Sequence, residues 1–137
     1  MKTEDARAAL EAHRIQPSAQ RLAVAEVVLD STEHLSADEI LARAQRRIPA
    51  ISRATVYNTL ATMVERRLVR SLVLTEGRVV FDPNTERHHH FIDEDTGRIH
   101  DIPWNALEVR GASSLPGLEV TEYGVVLRGR MKKRSRV

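Results

Sequence analysis

Three consecutive histidines, His88, His89 and His90, stand in the second half of this chain, with aspartates on either side at Asp82 and Asp101. Four of the six histidines fall between residues 81 and 101. Imidazole and carboxylate are the donors of a nitrogen–oxygen metal site, and the chain has no cysteine to add a thiolate. If the run is a strand, residues two apart share a face. His88 and His90 then point together, and His89 points the other way. Asp101 closes the next apolar run, and His34, in a loop before a helix, is distant in sequence but able to approach in space. Three imidazoles and two carboxylates suit Fe(II), Mn(II) or Zn(II), and up to five ligands favour iron or manganese over tetrahedral zinc. His88, His90 and Asp101 alone also match the two-histidine, one-carboxylate triad of a non-haem iron enzyme. Few aromatics and no spare acid–base group argue against that enzyme. His13 and His100 read as surface or satisfied histidines.

The elements that must hold these groups are helical first and extended later. Helical spacing of Ala6, Ala9, Leu10 and His13 predicts a first helix in TEDARAALEAHR. PSAQRLAVAEVVLDS predicts a second, with Leu22, Ala25, Val28 and Leu29 on one face. In SADEILARAQRR, Ser36 and Glu39 form the reciprocal capping box of a third, which Pro49 ends. SRATVYNTLATMVERRL predicts a fourth, opening at Ser52. VRSLVLTEGRVVFD then reads as a hairpin turning at Glu76-Gly77. Helices followed directly by a hairpin give the order of a winged helix-turn-helix. PNTER reads as a linker; HHHFID, GRIHDI and LEVTEYGVVLRG read as strands, with WNALEVRG as a short helix between them. The predicted fold class is therefore α+β. It comprises a winged helix-turn-helix over residues 1–82, a hinge at 83–87, a small α/β unit over 88–128 and a basic tail over 129–137.

The fourth helix has a second chemistry. Val56, Leu60, Met63 and Val64 form its apolar stripe, leaving Ala54, Thr55, Asn58, Ala61 and Thr62 outward with Tyr57 on the flank. Small side chains let a helix enter the major groove, and asparagine can make a bidentate contact to adenine. Thr55 and Tyr57 can meet thymine methyls or phosphates, and Ser52 and Arg53 at the helix N-terminus suit phosphate. A Thr-rich solvent face is the plain alternative, and the hairpin and the basic tail favour DNA.

Charge is uneven along the chain. Residues 1–82 carry 12 basic and 11 acidic side chains, residues 83–127 carry 3 and 8, and the last ten carry six basic and no acidic ones. Such a tail points to nucleic acid or another acidic surface. A hydrophobic content of 42% fits a globular protein, and no apolar run reaches the ~20 residues of a membrane span. With no signal-peptide core at the N-terminus, a cytoplasmic location is expected and a membrane partner is not.

Together, QRLAVAEVV, EHLSADEI, SRATVYNTL and FDPNTERHHHFIDEDTGRIHD resemble the ferric uptake regulator superfamily of metal-responsive repressors, over about residues 5 to 128. The resemblance implies a homodimer that binds double-stranded DNA at a palindromic operator, with Arg21 joining the candidate DNA contacts. It also implies a regulatory metal site on His34, Asp82, His88, His90 and Asp101, drawn from both domains and the hinge, so that occupancy sets the spacing of two recognition helices.

Two departures from the family pattern stand out. A structural zinc held by two C-x-x-C pairs is common in the family, but Asp93 and Thr96 occupy the first pair's positions and the C-terminus has no second pair. No structural four-cysteine zinc is expected, and the dimer would rest on Leu118, Val120, Val125 and Leu127. A further family site would use His89 and Glu108, but Tyr123 stands where its last histidine is expected. The two aspartate ligands and Asn58 resemble the peroxide-sensing branch, in which bound iron leads to oxidation of histidine ligands, here His34 and His88. HHHF, IHDIP and EYGVVLRGR resemble the iron-response branch instead, where haem would fall to His88–His90.

Overall fold

The computed structural model describes residues 3–73 and 77–133, and the chain divides into two units, Met1–Thr85 and Glu86–Val137. In the first unit the order is α1 (Thr3–Ala12), α2 (Ala19–Asp30), α3 (Ala37–Arg47), α4 (Arg53–Glu65), β1 (Arg70–Val73) and β2 (Val79–Asp82). Three of these helices begin on a serine whose hydroxyl accepts an otherwise orphaned amide: Ser18 from Arg21, Ser36 from Glu39 and Ser52 from Thr55. The capping box closes at Ser36, where the Glu39 carboxylate accepts the Ser36 amide at 3.2 Å. α3 stops at Arg47, ahead of Pro49.

One core holds this unit together: Leu10, Val24, Val28, Leu35, Ile40, Ile51, Val56, Leu60 and Met63 are each no more than 2% exposed. α2 departs from the one-faced expectation. Leu22, Ala23, Val24, Ala25, Val27 and Val28 are all buried, because α1, α3 and α4 pack around it, whereas Leu29 is only half-buried. In α4 the buried stripe includes Thr59 in place of Val64, which is half-buried. Thr59 can be inside because its hydroxyl donates to the Thr55 carbonyl at 2.7 Å.

β1 and β2 form the expected antiparallel wing, with Ser71 opposite Phe81 and Val73 opposite Val79. Gly77 has φ +75, a left-handed conformation open to glycine, whereas Glu76 lies outside the described residues. An isolated antiparallel bridge pairs Leu35 with Phe81, whose amide donates to the Leu35 carbonyl at 2.8 Å.

The second unit is a three-stranded sheet in the order β4-β3-β5, built from β3 (His88–Asp93), β4 (Ile99–Pro103) and β5 (Val126–Gly129). β3 is antiparallel to β4 and parallel to β5. Two expectations change here. WNALEVRG is no helix beyond a single 3-10 turn at Trp104–Ala106, since no side chain caps it and Leu107 is already extended. LEVTEYGVVLRG supplies only β5, which pairs with the second edge of β3, and its first eight residues join neither sheet. Leu118, Val120, Val126 and Leu127 remain exposed, and Val125 is half-buried. The end of the basic tail, 134–137, lies outside the described residues.

No helix among the described residues is long and apolar enough to cross a membrane. Leu60→Ala should cost about 2–5 kcal/mol, since it empties a fully enclosed site, and Ser36→Ala about 1 kcal/mol for a lost cap. Urea unfolding followed by circular dichroism measures both, and equal costs would refute this ranking.

Candidate metal centre and nucleic-acid interface

In the first unit the Leu35–Phe81 bridge does the positioning. One step further along an antiparallel pair, His34 comes opposite Asp82, on the face away from the Leu35 side chain. His34 Nε2 lies 3.0 Å from Asp82 Oδ2, and the two side chains are 5% and 4% exposed. The other carboxylate oxygen accepts the Asn84 amide at 2.9 Å, which fixes its rotamer.

In the second unit the β3–β4 register does the same work. His90 pairs directly with Asp101 and His88 with Pro103, so Asp101 is the direct neighbour of one histidine and the diagonal neighbour of the other. Nε2 of His88 lies 3.4 Å from Asp101 Oδ1, and Nε2 of His90 lies 3.7 Å from the same oxygen. The two rings meet edge-on at 4.5 Å. Nδ1 of His88 is 2.6 Å from the Glu86 carbonyl. A carbonyl only accepts, so Nδ1 carries a proton, and in the neutral ring Nε2 bears the lone pair on the side of Asp101. Donor atoms at ~2.1 Å from one ion lie roughly 3–4.2 Å apart, and both histidine nitrogens sit at that spacing from the Asp101 oxygen. The donor set therefore fits a divalent cation of borderline or hard character.

His89 points to the opposite face, as alternation requires, and is only 1% exposed. Its ring stacks on Trp104 at 4.5 Å, Trp104 meets Tyr123 at 4.9 Å, and the Arg87 guanidinium lies 5.0 Å over Trp104. Nδ1 of His89 accepts the Val125 amide at 3.0 Å, so in the neutral ring Nε2 carries the proton and no lone pair remains for an ion. Glu108 is exposed and lies 3.8 Å from Arg110. His89 and Glu108 join no group of three or more metal-capable side chains among the described residues. His13 is satisfied as expected, its Nδ1 2.9 Å from the Ala9 carbonyl.

Asp93 and Thr96, the positions compared with a cysteine pair, are bonded to each other. Thr96 donates its hydroxyl to Asp93 Oδ2 at 2.9 Å, the Asp95 amide donates to Oδ1 at 2.9 Å, and the Gly97 amide donates to the Asp93 carbonyl at 2.7 Å. The turn between β3 and β4 is thus closed by hydrogen bonds. The Asp95 amide above all, opposed by burial and helped by Thr96 and His100, holds the Asp93 carboxyl below the usual carboxylate range.

On α4, Arg53, Ala54, Tyr57, Asn58 and Ala61 are exposed, as a groove-reading face requires, and Thr55 is half-buried. Ser52 is engaged in capping, its hydroxyl donating to Thr55 Oγ1 at 2.9 Å. Arg21 is half-buried and donates to the Gln16 carbonyl at 2.8 Å. Arg53 and Tyr57 both bond the Asp38 carboxylate of α3. Three participants carry no clear sequence signal. Asp38 and Trp104 are brought in by tertiary placement, although Trp104 lies an even number of residues from Ile102, the register partner of His89. The Glu86 carbonyl is backbone, which every residue has.

Known proteins share this architecture. Residues 13–127 match the model of the ferric uptake regulator family. A peroxide-responsive repressor of Staphylococcus aureus is 32% identical over 133 residues, covering 95% of this chain and 89% of the relative. The ferric uptake regulator of Vibrio cholerae superposes with a TM-score of 0.72 at 24% identity, over 91% of this chain and 98% of that one. That of Pseudomonas aeruginosa, solved with manganese, gives 0.67 at 24%, over 93% and 98%. At these identities the two structures establish the fold.

Because the Asp93 carboxyl is held low in the folded chain, its contribution is present above the unfolded value and lost as pH falls through the folded one. Asp93→Asn cannot titrate, so between roughly pH 5 and pH 2 its stability should fall less steeply than that of the wild type. Urea midpoints across this range test the sign, and parallel curves would remove Asp93 from the acid response.

Proposed function

The chain belongs to the ferric uptake regulator family, and from that premise we propose that it is a transcriptional repressor in which one divalent ion, held by His34, Asp82, His88, His90 and Asp101, controls DNA binding. The observation that carries the proposal is the Asp101 carboxylate facing two Nε2 atoms, with the Glu86 carbonyl fixing the tautomer of His88. A catalytic triad on His88, His90 and Asp101 is set aside, since the family's members are transcriptional regulators and not enzymes.

The ion proposed is Fe(II) or Mn(II), with zinc as a competitor. Nitrogen and oxygen donors, up to five in number, exceed the four of a closed structural zinc site. Burial of all three histidines in the run, at 7%, 1% and 6% exposure, suits a bare ion better than the broad face of haem. His34 and Asp82 belong to the DNA-binding unit, and the other three belong to the sheet unit. An ion that binds all five favours one arrangement of the two, which is how occupancy reaches the DNA.

The DNA contacts proposed are Arg53, Thr55, Tyr57 and Asn58 of α4, with Ser52 at its N-terminus and Arg21 beside it. Two copies joined through the exposed Leu118, Val120 and Leu127 and the half-buried Val125 would present two such helices to a palindromic operator in the cytoplasm. As signal we propose peroxide. Iron, if held by these residues, would supply the reduction of peroxide, and His34 and His88 would be the rings that take up oxygen and cease to serve as ligands.

Fluorescence anisotropy of a palindromic duplex, with and without Mn(II), tests the sensor. Mn(II) should tighten binding at least about tenfold, and His88→Ala or His90→Ala should lose both metal affinity and this effect. DNA binding indifferent to metal would overturn the reading. For the peroxide signal, mass spectrometry of the iron-loaded protein should find an added oxygen on His34 or His88 at doses that release DNA. Release without that mass shift points to the metal level as the signal.

A further inference from the structure

Asp38 has been given no part in the function above, yet it holds two of the proposed DNA contacts. It lies in the first turn of α3, next to the N-terminus of α4, and its side chain is 68% exposed. A single oxygen, Oδ1, accepts from Arg53 Nη1 and, at 2.9 Å, from the Tyr57 hydroxyl. Arg53 Nη1 is also 3.3 Å from the Tyr57 oxygen, and the guanidinium lies 5.7 Å over the Tyr57 ring. Three side chains from two helices thus form a closed triangle on the face of α4 that is proposed to meet DNA.

The bond directions give this triangle a consequence. A phenol has one proton, and Asp38 takes it, so Tyr57 is left with an oxygen that only accepts and a ring edge that is apolar. A phosphate also only accepts, and Tyr57 therefore cannot donate to one while Asp38 holds it. Arg53 is different. A guanidinium has five N–H groups, and those that Asp38 and Tyr57 leave unused remain for a phosphate. The carboxylate thereby divides the labour: Arg53 anchors the backbone, and Tyr57 faces a base edge, as an acceptor for an exocyclic amine or as a contact for a thymine methyl.

We propose that Asp38 is a positioning residue for DNA recognition, fixing Tyr57 as a base reader and Arg53 as a phosphate anchor. The proposal rests on the reading of α4 as the recognition helix. The plain alternative is a surface carboxylate that only repels DNA. An exposed ion pair contributes little to stability, so removing it should leave the fold intact, and a thermal melt verifies this.

The test uses the full chain with Mn(II), a duplex enriched by the wild type from a random pool, and a scrambled duplex. Asp38→Ala should lower the ratio of enriched to scrambled affinity by about tenfold, the scale of one lost base contact, without weakening binding to the scrambled duplex. Asp38→Asn keeps an acceptor oxygen for the Tyr57 hydroxyl while losing the charge, and should restore most of that ratio. Tyr57→Phe should cost little for a thymine-methyl contact, and replacing the contacted thymine by uracil should then cost the wild type more than Asp38→Ala. If Asp38→Ala and Asp38→Asn tighten both duplexes alike, the charge acts only by repulsion and the positioning role is refuted while the DNA reading stands. A wild type that enriches no duplex refutes both.

Discussion

Neighbouring side chains on a strand cannot face the same way, and the candidate centre in this chain follows from that constraint. Placed on β3, three identical residues become two kinds of group. His88 and His90 turn toward Asp101, and His89 turns toward Trp104. The backbone then sets their electronic state. His88 Nδ1 faces a carbonyl and must donate, whereas His89 Nδ1 faces an amide and must accept. In the neutral state the first ring bears its lone pair on Nε2, on the side of Asp101, and the other, one residue on, has given its lone pair to the fold. A one-residue slip of β3 against β4 would exchange these roles and dismantle the donor set.

The same economy governs the first unit, where one backbone bridge is shared between core and site. Leu35 is fully buried among the helices, and Phe81 packs against the same core from β2. Their pairing brings His34 and Asp82 together as the next pair in register. Core packing of residues with no metal chemistry therefore sets the distance between two candidate ligands. Damage to the core near Leu35 would reach the site through the backbone before any ligand is changed.

Sequence patterns carry those parts that depend on local periodicity. Serine caps, the capping box, the stop before Pro49, the wing and the split of His88 and His90 from His89 all follow from spacing over a few residues. What stays hidden depends on partners far away in the chain. The 118–121 segment alternates as a strand should, yet it joins no strand of the sheet. WNALEVRG has helix formers, but no side chain caps its start. The burial of α2 on nearly all sides reflects three packed helices, which no pattern within α2 announces. In sequence Asp38 is an ordinary first-turn acid, and only the approach of α3 to α4 gives it Arg53 and Tyr57. Asp93 and Thr96 mark, by resemblance alone, the positions of a cysteine pair common in the family, whereas their mutual hydrogen bond helps to close the turn.

On the proposed reading, the pairing of His34 with Asp82 also bears on what kind of metal site this is. Their contact, at 3.0 Å between nearly buried side chains, pairs His34 Nε2 with one Asp82 oxygen without an ion. To bind metal, His34 Nε2 and Asp82 Oδ2 must exchange that contact for metal bonds, and a buried charge-assisted hydrogen bond is worth about 1.5–3 kcal/mol. The ion's affinity is lowered by roughly ten- to a hundredfold for every such contact it must replace. A structural site has no use for such a penalty, but a sensor does, because it must release its ion within the range of concentrations that a cell experiences. A contact that must be exchanged for metal bonds gives the ion an equilibrium to shift, and a bound state to be distinguished from an unbound one.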